Sequence, residues 1–237
     1  MIVGPYINSA AVLFGALGGA MLANRIPERV RTAMPLTFGA ASMAMGVVMI
    51  AQVAHMPVMV LAAVLGALLG ELIWLERGIN KLGAATKSLV EKVAPAPAGI
   101  TEAEFLEKFV AILVLFGASG TGIFGAMNEG MTGDPTILIA KSFLDFFTAA
   151  IFAITLGYSV ATIAVVVLVV QLTLAYGATL ILPLTTDLMV ADFKATGGLI
   201  MLATGLRICG IKSFPVGSML PSLVLSMPIT ALWVRMF

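Results

Sequence analysis

Charged side chains are scarce in this chain of 237 residues. They make up 11% of it, whereas hydrophobic residues make up 60%. A soluble domain averages about 25% charged and about 45–50% apolar residues, so this chain has too few charges to cover a soluble globule. The scarcity excludes a soluble enzyme and a disordered protein. Because the net charge is only +1, no nucleic acid is expected as a partner.

Residues that build cross-links, metal sites and common catalytic motifs are also nearly absent. Cys209 is the single cysteine, so the chain forms no internal disulfide. His55 is the single histidine and has no cysteine or second histidine to complete a zinc site. The sequence contains no phosphate-binding loop, Ser-His-Asp set or nucleophile elbow. We therefore expect no enzymatic activity, no cofactor and no metal, although an intramembrane enzyme stays a distant alternative.

Long hydrophobic runs fill most of the chain. A spanning helix needs about 20 mostly apolar residues, because the hydrocarbon core is about 30 Å thick. The runs predict an all-α, polytopic transmembrane helix bundle of about eight spans. Seven spans remain an alternative, since Pro215, Pro221 and Pro228 interrupt the last run. The predicted spans cover residues 5–23, 33–53, 57–75, 109–127, 137–157, 160–182, 195–210 and 216–234.

The chain is predicted to form a single membrane domain with one sizeable segment outside the bilayer. Residues 1–75 hold spans one to three, and residues 109–237 hold spans four to eight. Residues 76–108 are interpreted as a cytoplasmic amphipathic helix over 76–92 followed by a linker. By the positive-inside rule, both termini lie outside the cytoplasm, because basic residues collect in two loops on the other side. These residues are Arg25, Arg29, Arg31, Arg77, Lys81, Lys87, Lys92 and Lys108.

Two short self-similarities suggest an inverted internal repeat. Residues 13–16 of span one match residues 115–118 of span four, and residues 56–58 resemble residues 214–216. The offsets are three and five spans, so either repeat would place its two copies in opposite orientation, as in many secondary transporters. The two registers exclude each other, and the sequence leaves open which of them is real.

Span four combines glycines with polar side chains. Ser119, Thr121, Asn128 and Glu129 alternate with six glycines between residues 117 and 133. Small residues at helical spacing let helices pack closely, which is one interpretation. The other is a helix that unwinds beside a cavity and presents backbone groups to a solute or ion.

Span five carries two ionisable residues at membrane depth. Lys141 and Asp145 are four positions apart and therefore share one helix face, with Ser142 adjacent. Ionisable groups at this depth are costly and are usually paired or functional. We predict a solute- or ion-binding site here, with Asn8 of span one as a contributor, and a structural ion pair as the alternative.

Two basic residues flank a turn near the end of span seven. Arg207 and Lys212 lie on either side of Gly210. Their position suggests a cytoplasmic mouth that attracts anions. Ordinary positive-inside anchoring explains the same two residues.

Several stretches closely resemble a family of bacterial inner-membrane proteins catalogued only as a domain of unknown function. They are residues 4–8, residues 117–130 and residues 141–146, and the similarity extends over residues 205–215. The resemblance implies a multi-pass protein of the bacterial inner membrane, whose termini would then be periplasmic. It implies no substrate, reaction or site.

The leading functional hypothesis is a transporter or channel for a small solute or ion, with its polar site between spans four and five. The alternative is a non-transporting scaffold whose cytoplasmic helix docks a partner protein. The lipid bilayer is the expected environment in both cases. Small-residue faces such as Thr121 with Gly125 would also suit a homodimer.

Overall fold

The computed structural model describes residues 2–22, 27–85, 105, 109, 112, 113, 115–117 and 119–236. Within these residues the fold is entirely helical and contains no strand, as the all-α prediction requires. The helices are α1 (Gly4–Met21), α2 (Glu28–Ile50), α3 (Met56–Leu72), α4 (Leu75–Ala85), α5 (Gly120–Thr132), α6 (Thr136–Leu156), α7 (Ile163–Ile181), α8 (Asp187–Ile208), α9 (Val216–Met219) and α10 (Pro221–Met236).

Among the described residues, three segments are long and apolar enough to cross a membrane: Thr136–Ile181, Asp187–Ile208 and Val216–Met236. The apolar helices Leu36–Ile50 and Met56–Leu72 are shorter. Large apolar side chains are exposed along these segments, among them Val64, Phe143 and Leu180, as expected of a surface that faces lipid rather than water. A helical membrane protein is therefore supported, whereas the count of about eight spans stays a prediction.

Two junctions differ in detail from the sequence prediction. The predicted turn at residues 157–159 is a longer 3-10 helix, Gly157–Thr162, which begins at a glycine with a φ of 67°. The proline-interrupted C-terminal run is helical, with a break at Leu220 between α9 and α10. Pro221 starts α10, where its missing N–H has no partner to lose.

Glycines bring several helices into close contact. Gly15 and Gly19 of α1 face the backbone of Phe146 and Ala150 in α6. The residue numbers increase in the same direction along both helices, so these helices are parallel. Other contacts pair helices that run antiparallel: Gly39 with Gly205 and Gly46 with Gly198 join α2 to α8, and Gly66 with Ser222 and Gly70 with Ser218 join α3 to α10 and α9. Lipid offers no hydrophobic drive between helices, so close backbone approach supplies the contact energy.

The buried apolar side chains form two main clusters. The first core joins α1, α6 and α7 with residues that precede α5, such as Phe116. The second core joins α5, α8, α9 and α10 with Ile137 of α6 and Ala178 of α7, and Met45 and Met49 of α2 pack against it. The helices α6 and α7 thus contribute to both cores. A seam lies between the α1–α6 pair and the α2–α8 pair, because each pair packs closely within itself and the two pairs touch little.

The helix pairings also define two ends of the bundle. At the carboxylate end, Glu129 contacts the start of α1 and Asp192 contacts the turn before α3. A shallow pocket here brings Gln52, Thr132 and Asp187 together, which places the two carboxylates at the same end. At the arginine end, Arg207 of α8 meets Glu76 of α4.

The helix α4 covers the first part of the predicted amphipathic segment. It is strongly amphipathic, and the Arg77 guanidinium lies 3.9 Å from the centre of the Trp74 ring at the preceding turn. Glu76 fastens α4 to the bundle, because it pairs with Arg207 and accepts a hydrogen bond from the Gly217 amide at the start of α9. Residues 86–104 and 106–108 of the predicted helix-and-linker segment lie outside the described residues.

Candidate functional site

A cavity of about 460 Å³ occupies the seam between the two pairs of helices. Its wall includes α6 from Lys141 to Phe152, a distance of about 16 Å at 1.5 Å per residue. Much of the wall is apolar, as is common for ligand cavities of this size. The polar and charged side chains that line it are Ser42, Ser119, Thr121, Lys141, Asp145, Thr148, Thr204 and Arg207.

Lys141 and Asp145 form an ion pair on the cavity wall. Their spacing of four residues places both on one face of α6, as the sequence predicted. Both side chains are at least nine-tenths buried, and the Lys141 ammonium also lies 5.8 Å from the centre of the Phe116 ring. The pair is thus held at depth while remaining next to open space.

The helical path of span four is interrupted beside this pair. Residues 115–117 are helical, Ser119 is extended with φ −70° and ψ 134°, and α5 starts at Gly120. The Ser119 hydroxyl accepts a hydrogen bond of 3.0 Å from the Gly122 amide and so caps α5. An interruption of a predicted span is tolerable where the backbone lines a cavity, and Ser119 lines this one.

Gly122 gives space to side chains from two other helices. A Cβ atom at this position would lie 3.1 Å from Cε of Lys141 and 3.3 Å from Nε2 of Gln171. Gly130, by contrast, packs directly on the backbone of Ala175 in α7. The glycine-rich stretch therefore combines both interpretations of the sequence, with an interrupted helix at Ser119 and close packing further along.

Two buried amides near the ion pair have no hydrogen-bond partner in the part of the chain that the structure describes. They are Asn8 of α1 and Gln171 of α7, which are 0% and 2% exposed. The Asn8 amide faces the Asp145 carboxylate without forming a hydrogen bond of good geometry. Buried amides are nearly always satisfied by protein, water or ligand, so these two indicate a place where such a partner belongs.

Gln171 was missed by the sequence interpretation. Its signal was a lone amide in the middle of the apolar run of α7, at 163–181. Gln171 lies near Lys141 only because α7 packs against α5. The local sequence around either residue does not show this packing.

Four of the residues predicted for the binding site lie outside the cavity wall: Asn8, described above, and Asn128, Glu129 and Ser142. Glu129 accepts hydrogen bonds from the amides of Val3 and Gly4 at distances of 2.7 to 3.1 Å, and so caps α1. The Asn128 side-chain nitrogen makes a long contact of 3.4 Å to the carbonyl of Asp134, and its buried Oδ1 has no partner among the described residues. Ser142 donates to the Leu138 carbonyl within α6. The polar groups of Glu129 and Ser142 therefore serve a helix end and a helix backbone rather than the cavity.

The two residues of the predicted anion mouth also separate. Arg207 lines the cavity and bonds to Glu76 at 2.7 Å, and its side chain is 45% exposed. Lys212 is exposed in the turn before α9 and does not line the cavity. Of the two cations predicted to form the mouth, only Arg207 therefore lines the cavity.

Asp192 organises a second polar cluster that the sequence did not reveal. It is fully buried and accepts hydrogen bonds from the amides of Ala54 and His55 and from the Thr230 hydroxyl, while its other contact is the His55 ring. The cluster ties α8 to α10 and to the turn before α3. Among the described residues no group of three or more His, Cys, Asp and Glu side chains is arranged to hold a metal ion.

Comparison with known proteins shows the family of this chain. A family model described as "Protein of unknown function (DUF554)" matches residues 3–231. The chain belongs to this family. It is 56% identical to the "Uncharacterized protein YqgA" of Escherichia coli (strain K12) over all of both chains.

A more distant relative is the "Uncharacterized membrane protein YdfK" of Bacillus subtilis (strain 168). It is 27% identical over 94% of this chain and 93% of its own length. The resemblance inferred from the sequence is thus confirmed. No solved structure matches the chain.

Proposed function

We propose that this protein carries a small solute or ion across the bacterial inner membrane. The observation that carries the proposal is the cavity at the seam, which reaches the buried pair of Lys141 and Asp145. Burying a charged pair costs several kcal/mol per ion, and an apolar pair of similar volume would often be at least as stable. A buried ion pair beside a cavity is therefore better explained by a functional role than by a contribution to the stability of the fold.

The position of the cavity supports transport more than simple binding. Secondary transporters often work by rocking one group of helices against another around a site near the bilayer midplane. Here the cavity lies between the α1–α6 pair and the α2–α8 pair, and an interrupted helix adjoins the buried charges. A motion of one pair against the other would widen the cavity and leave the close glycine contacts within each pair intact.

The membrane topology that accompanies this proposal has about eight spans and periplasmic termini. The arginine end would then be cytoplasmic, in agreement with the basic residues of α4 and with Arg207 and Lys212. The inverted repeat and a homodimer remain predictions. The glycines that make the closest contacts, such as Gly19 and Gly46, are occupied by helices of the same chain.

A scaffold remains the second candidate. The observation that favours it is the docking of α4 through Glu76, which presents a strongly amphipathic helix at the arginine end. A scaffold would need no flux through the cavity, and its function would survive when the cavity charges are removed.

Reconstitution of the full chain in liposomes tests the proposal. We would measure uptake over a panel of labelled organic anions, organic cations, sugars, amino acids and inorganic ions. The decisive variant is Lys141→Met with Asp145→Leu, which removes both charges together and leaves neither unpaired. We expect this variant to fold and to lose at least tenfold in uptake rate.

Asp187→Asn serves as the matched control, because Asp187 is exposed at the carboxylate end and lies outside the cavity. Its uptake rate should equal that of the wild type. Absence of uptake for every solute of the panel, or unchanged uptake after removal of both cavity charges, would contradict the proposal.

A further inference from the structure

The charges and walls of the cavity point to the class of its cargo. We infer that the cavity binds a small organic anion with one carboxylate-like head and an apolar body. The inference rests on the proposed function in that it names the cargo of the same cavity. Binding and transport can nevertheless be measured separately.

The charged groups on the wall favour an anion. Two cations, Lys141 and Arg207, line the cavity, whereas Asp145 is its single lining carboxylate among the described residues. Arg207 is paired with Glu76 of α4, which does not line the cavity. The four charges therefore balance, but an anion in the cavity can contact two cationic groups, whereas a cation can contact one carboxylate.

The start of α5 favours an anion in the deep part of the cavity. The helix α5 begins there, with Ser119 at its cap, and a helix N-terminus carries a partial positive charge that favours anions. Gln171 is a separate indication of a ligand. Its buried amide has no partner within the described residues, and its Nε2 lies near the first turn of α5 and the Lys141 side chain.

The other buried carboxylates already accept hydrogen bonds from protein groups. Glu129 accepts bonds from the start of α1, and Asp192 accepts bonds from Ala54, His55 and Thr230. Neither lines the cavity. A cation would have only Asp145 to bind, and Asp145 is already paired with Lys141.

The apolar side chains of the wall indicate that the body of the cargo is apolar. Between Arg207 and the deep part, the wall is formed by side chains such as Phe38, Leu144, Ile151 and Phe152. A small inorganic anion would leave these surfaces in contact with water or empty space. An apolar group gains free energy by covering them, at about 25 cal/mol per Å² of apolar surface removed from water.

These features suggest an order of events. Arg207 lies at the arginine end and attracts the anion, which then competes with Asp145 for Lys141. The Asn8 amide already faces Asp145 and can hold that carboxylate by a hydrogen bond once Lys141 turns to the cargo. The Lys141–Asp145 ion pair would thus break when an anionic group binds Lys141.

Three aromatic probes of similar size separate the charge classes. The full chain in lipid nanodiscs is dialysed to equilibrium against radiolabelled benzoate, benzamide or benzylamine, and binding to empty nanodiscs is subtracted. We expect saturable binding of benzoate at least tenfold tighter than that of benzylamine, with benzamide between them. Equal or tighter binding of benzylamine, or no saturable binding of benzoate, would overturn the inference.

Two pairs of variants locate the binding. Arg207→Gln should weaken benzoate binding roughly three- to tenfold, since it removes a charge-assisted contact at a half-exposed site, and should leave benzamide binding nearly unchanged. Its control is Lys212→Gln, a cation at the same end outside the cavity. Gln171→Leu should weaken benzoate binding by a similar factor, whereas Thr173→Val on the exposed face of α7 should not. Equal effects of a variant and its control would reject the assigned site.

The two proposals fail in different ways. Saturable benzoate binding without uptake of any solute in liposomes would retain the anion site and reject the transporter. Uptake of a cation or a neutral solute, without saturable benzoate binding, would retain the transporter and reject the anionic cargo.

Discussion

Buried carboxylates at the carboxylate end and buried amides beside the cavity differ in their hydrogen bonding. At the carboxylate end, Asp192 and Glu129 are almost completely buried, and each receives hydrogen bonds from backbone amides at or just before the start of another helix. Beside the cavity, Asn8 and Gln171 are equally buried, but no described group forms a hydrogen bond of good geometry with them. Asp145 has only the side chain of Lys141 as a firm partner.

The difference separates structural from functional polarity. A carboxylate saturated with backbone donors closes a helix end and cannot release those donors without a large loss of stability. Amides without partners contribute no such stability, and in lipid they are expensive unless a solute or water meets them. The carboxylate end therefore holds the fold together, whereas the cavity is where cargo is expected.

The largest effect should come from removal of Asp192. Asp192→Ala removes the acceptor of two backbone amides, those of Ala54 and His55, and of the buried Thr230 hydroxyl, so we expect a loss of about 3 kcal/mol. The measurement is thermal unfolding of the purified chain in detergent. Asp187→Ala on the same helix is the control and should unfold close to the wild-type temperature. Similar unfolding temperatures for both variants would contradict the structural role assigned to the carboxylate end.

A smaller effect is expected where α1 packs on α6 beside the cavity. The Cβ of Gly19→Ala would lie 2.1 Å from the carbonyl oxygen of Ala150, so the two helices must separate, at a cost of about 1–3 kcal/mol. Gly18 is its neighbour on α1, and a Cβ there meets no atom within 4 Å. Gly18→Ala should therefore be neutral or stabilising by up to about 1 kcal/mol. Equal unfolding temperatures of the two variants would show that this contact is not close.

Local patterns in the sequence predicted the features that depend on short spacing. The shared face of Lys141 and Asp145 follows from four residues of helix geometry. Glycines and polar side chains in one short stretch leave an interrupted helix open as one of two interpretations, and the structure has an interruption at Ser119. Neither feature needs knowledge of which helices become neighbours.

Features that depend on helix neighbours could not be predicted in this way. Asp192 bonds to a residue 137 positions away, and Glu129 bonds to one 125 positions away. Asp192 therefore has no role predicted from the sequence, whereas Glu129 is predicted there as a site residue. Gln171 reaches the cavity region only because α7 packs against α5. The pairing of helices decides the role of these side chains, and hydropathy does not encode that pairing.

The cavity pair should differ from Asp192 in its response to apolar replacement. Lys141→Met with Asp145→Leu removes two charges that mainly bind one another, and such exchanges are often neutral or stabilising. We expect a change within about 1.5 kcal/mol, measured by the same unfolding experiment. The matched double variant Asp192→Leu with Thr230→Val leaves two backbone amides unsatisfied and should lose as much stability as Asp192→Ala. A large loss in the cavity variant would make its pair structural.

The smallest effect concerns an exposed carboxylate at the carboxylate end. Asp134 accepts hydrogen bonds from the hydroxyl and the amide of Thr136 at the start of α6, and the hydroxyl bond, followed by the amide bond, lowers the pKa of Asp134. A lowered pKa in the folded state means that the stability gained is complete above the unfolded pKa of about 4 and is lost as the pH falls through the folded pKa.

Because Asp134 is exposed, solvent screening should limit this gain to about 0.5 kcal/mol. Asp134→Asn should therefore be slightly less stable than the wild type at pH 7, and the difference should vanish as the pH is lowered below about 4. Thr136→Val removes the hydroxyl donor and should reduce the same pH dependence. A difference that persists at acidic pH would assign the effect to packing rather than to charge. The contrast with Asp192 isolates burial, since both carboxylates accept backbone amides near the start of a helix and only one does so away from water.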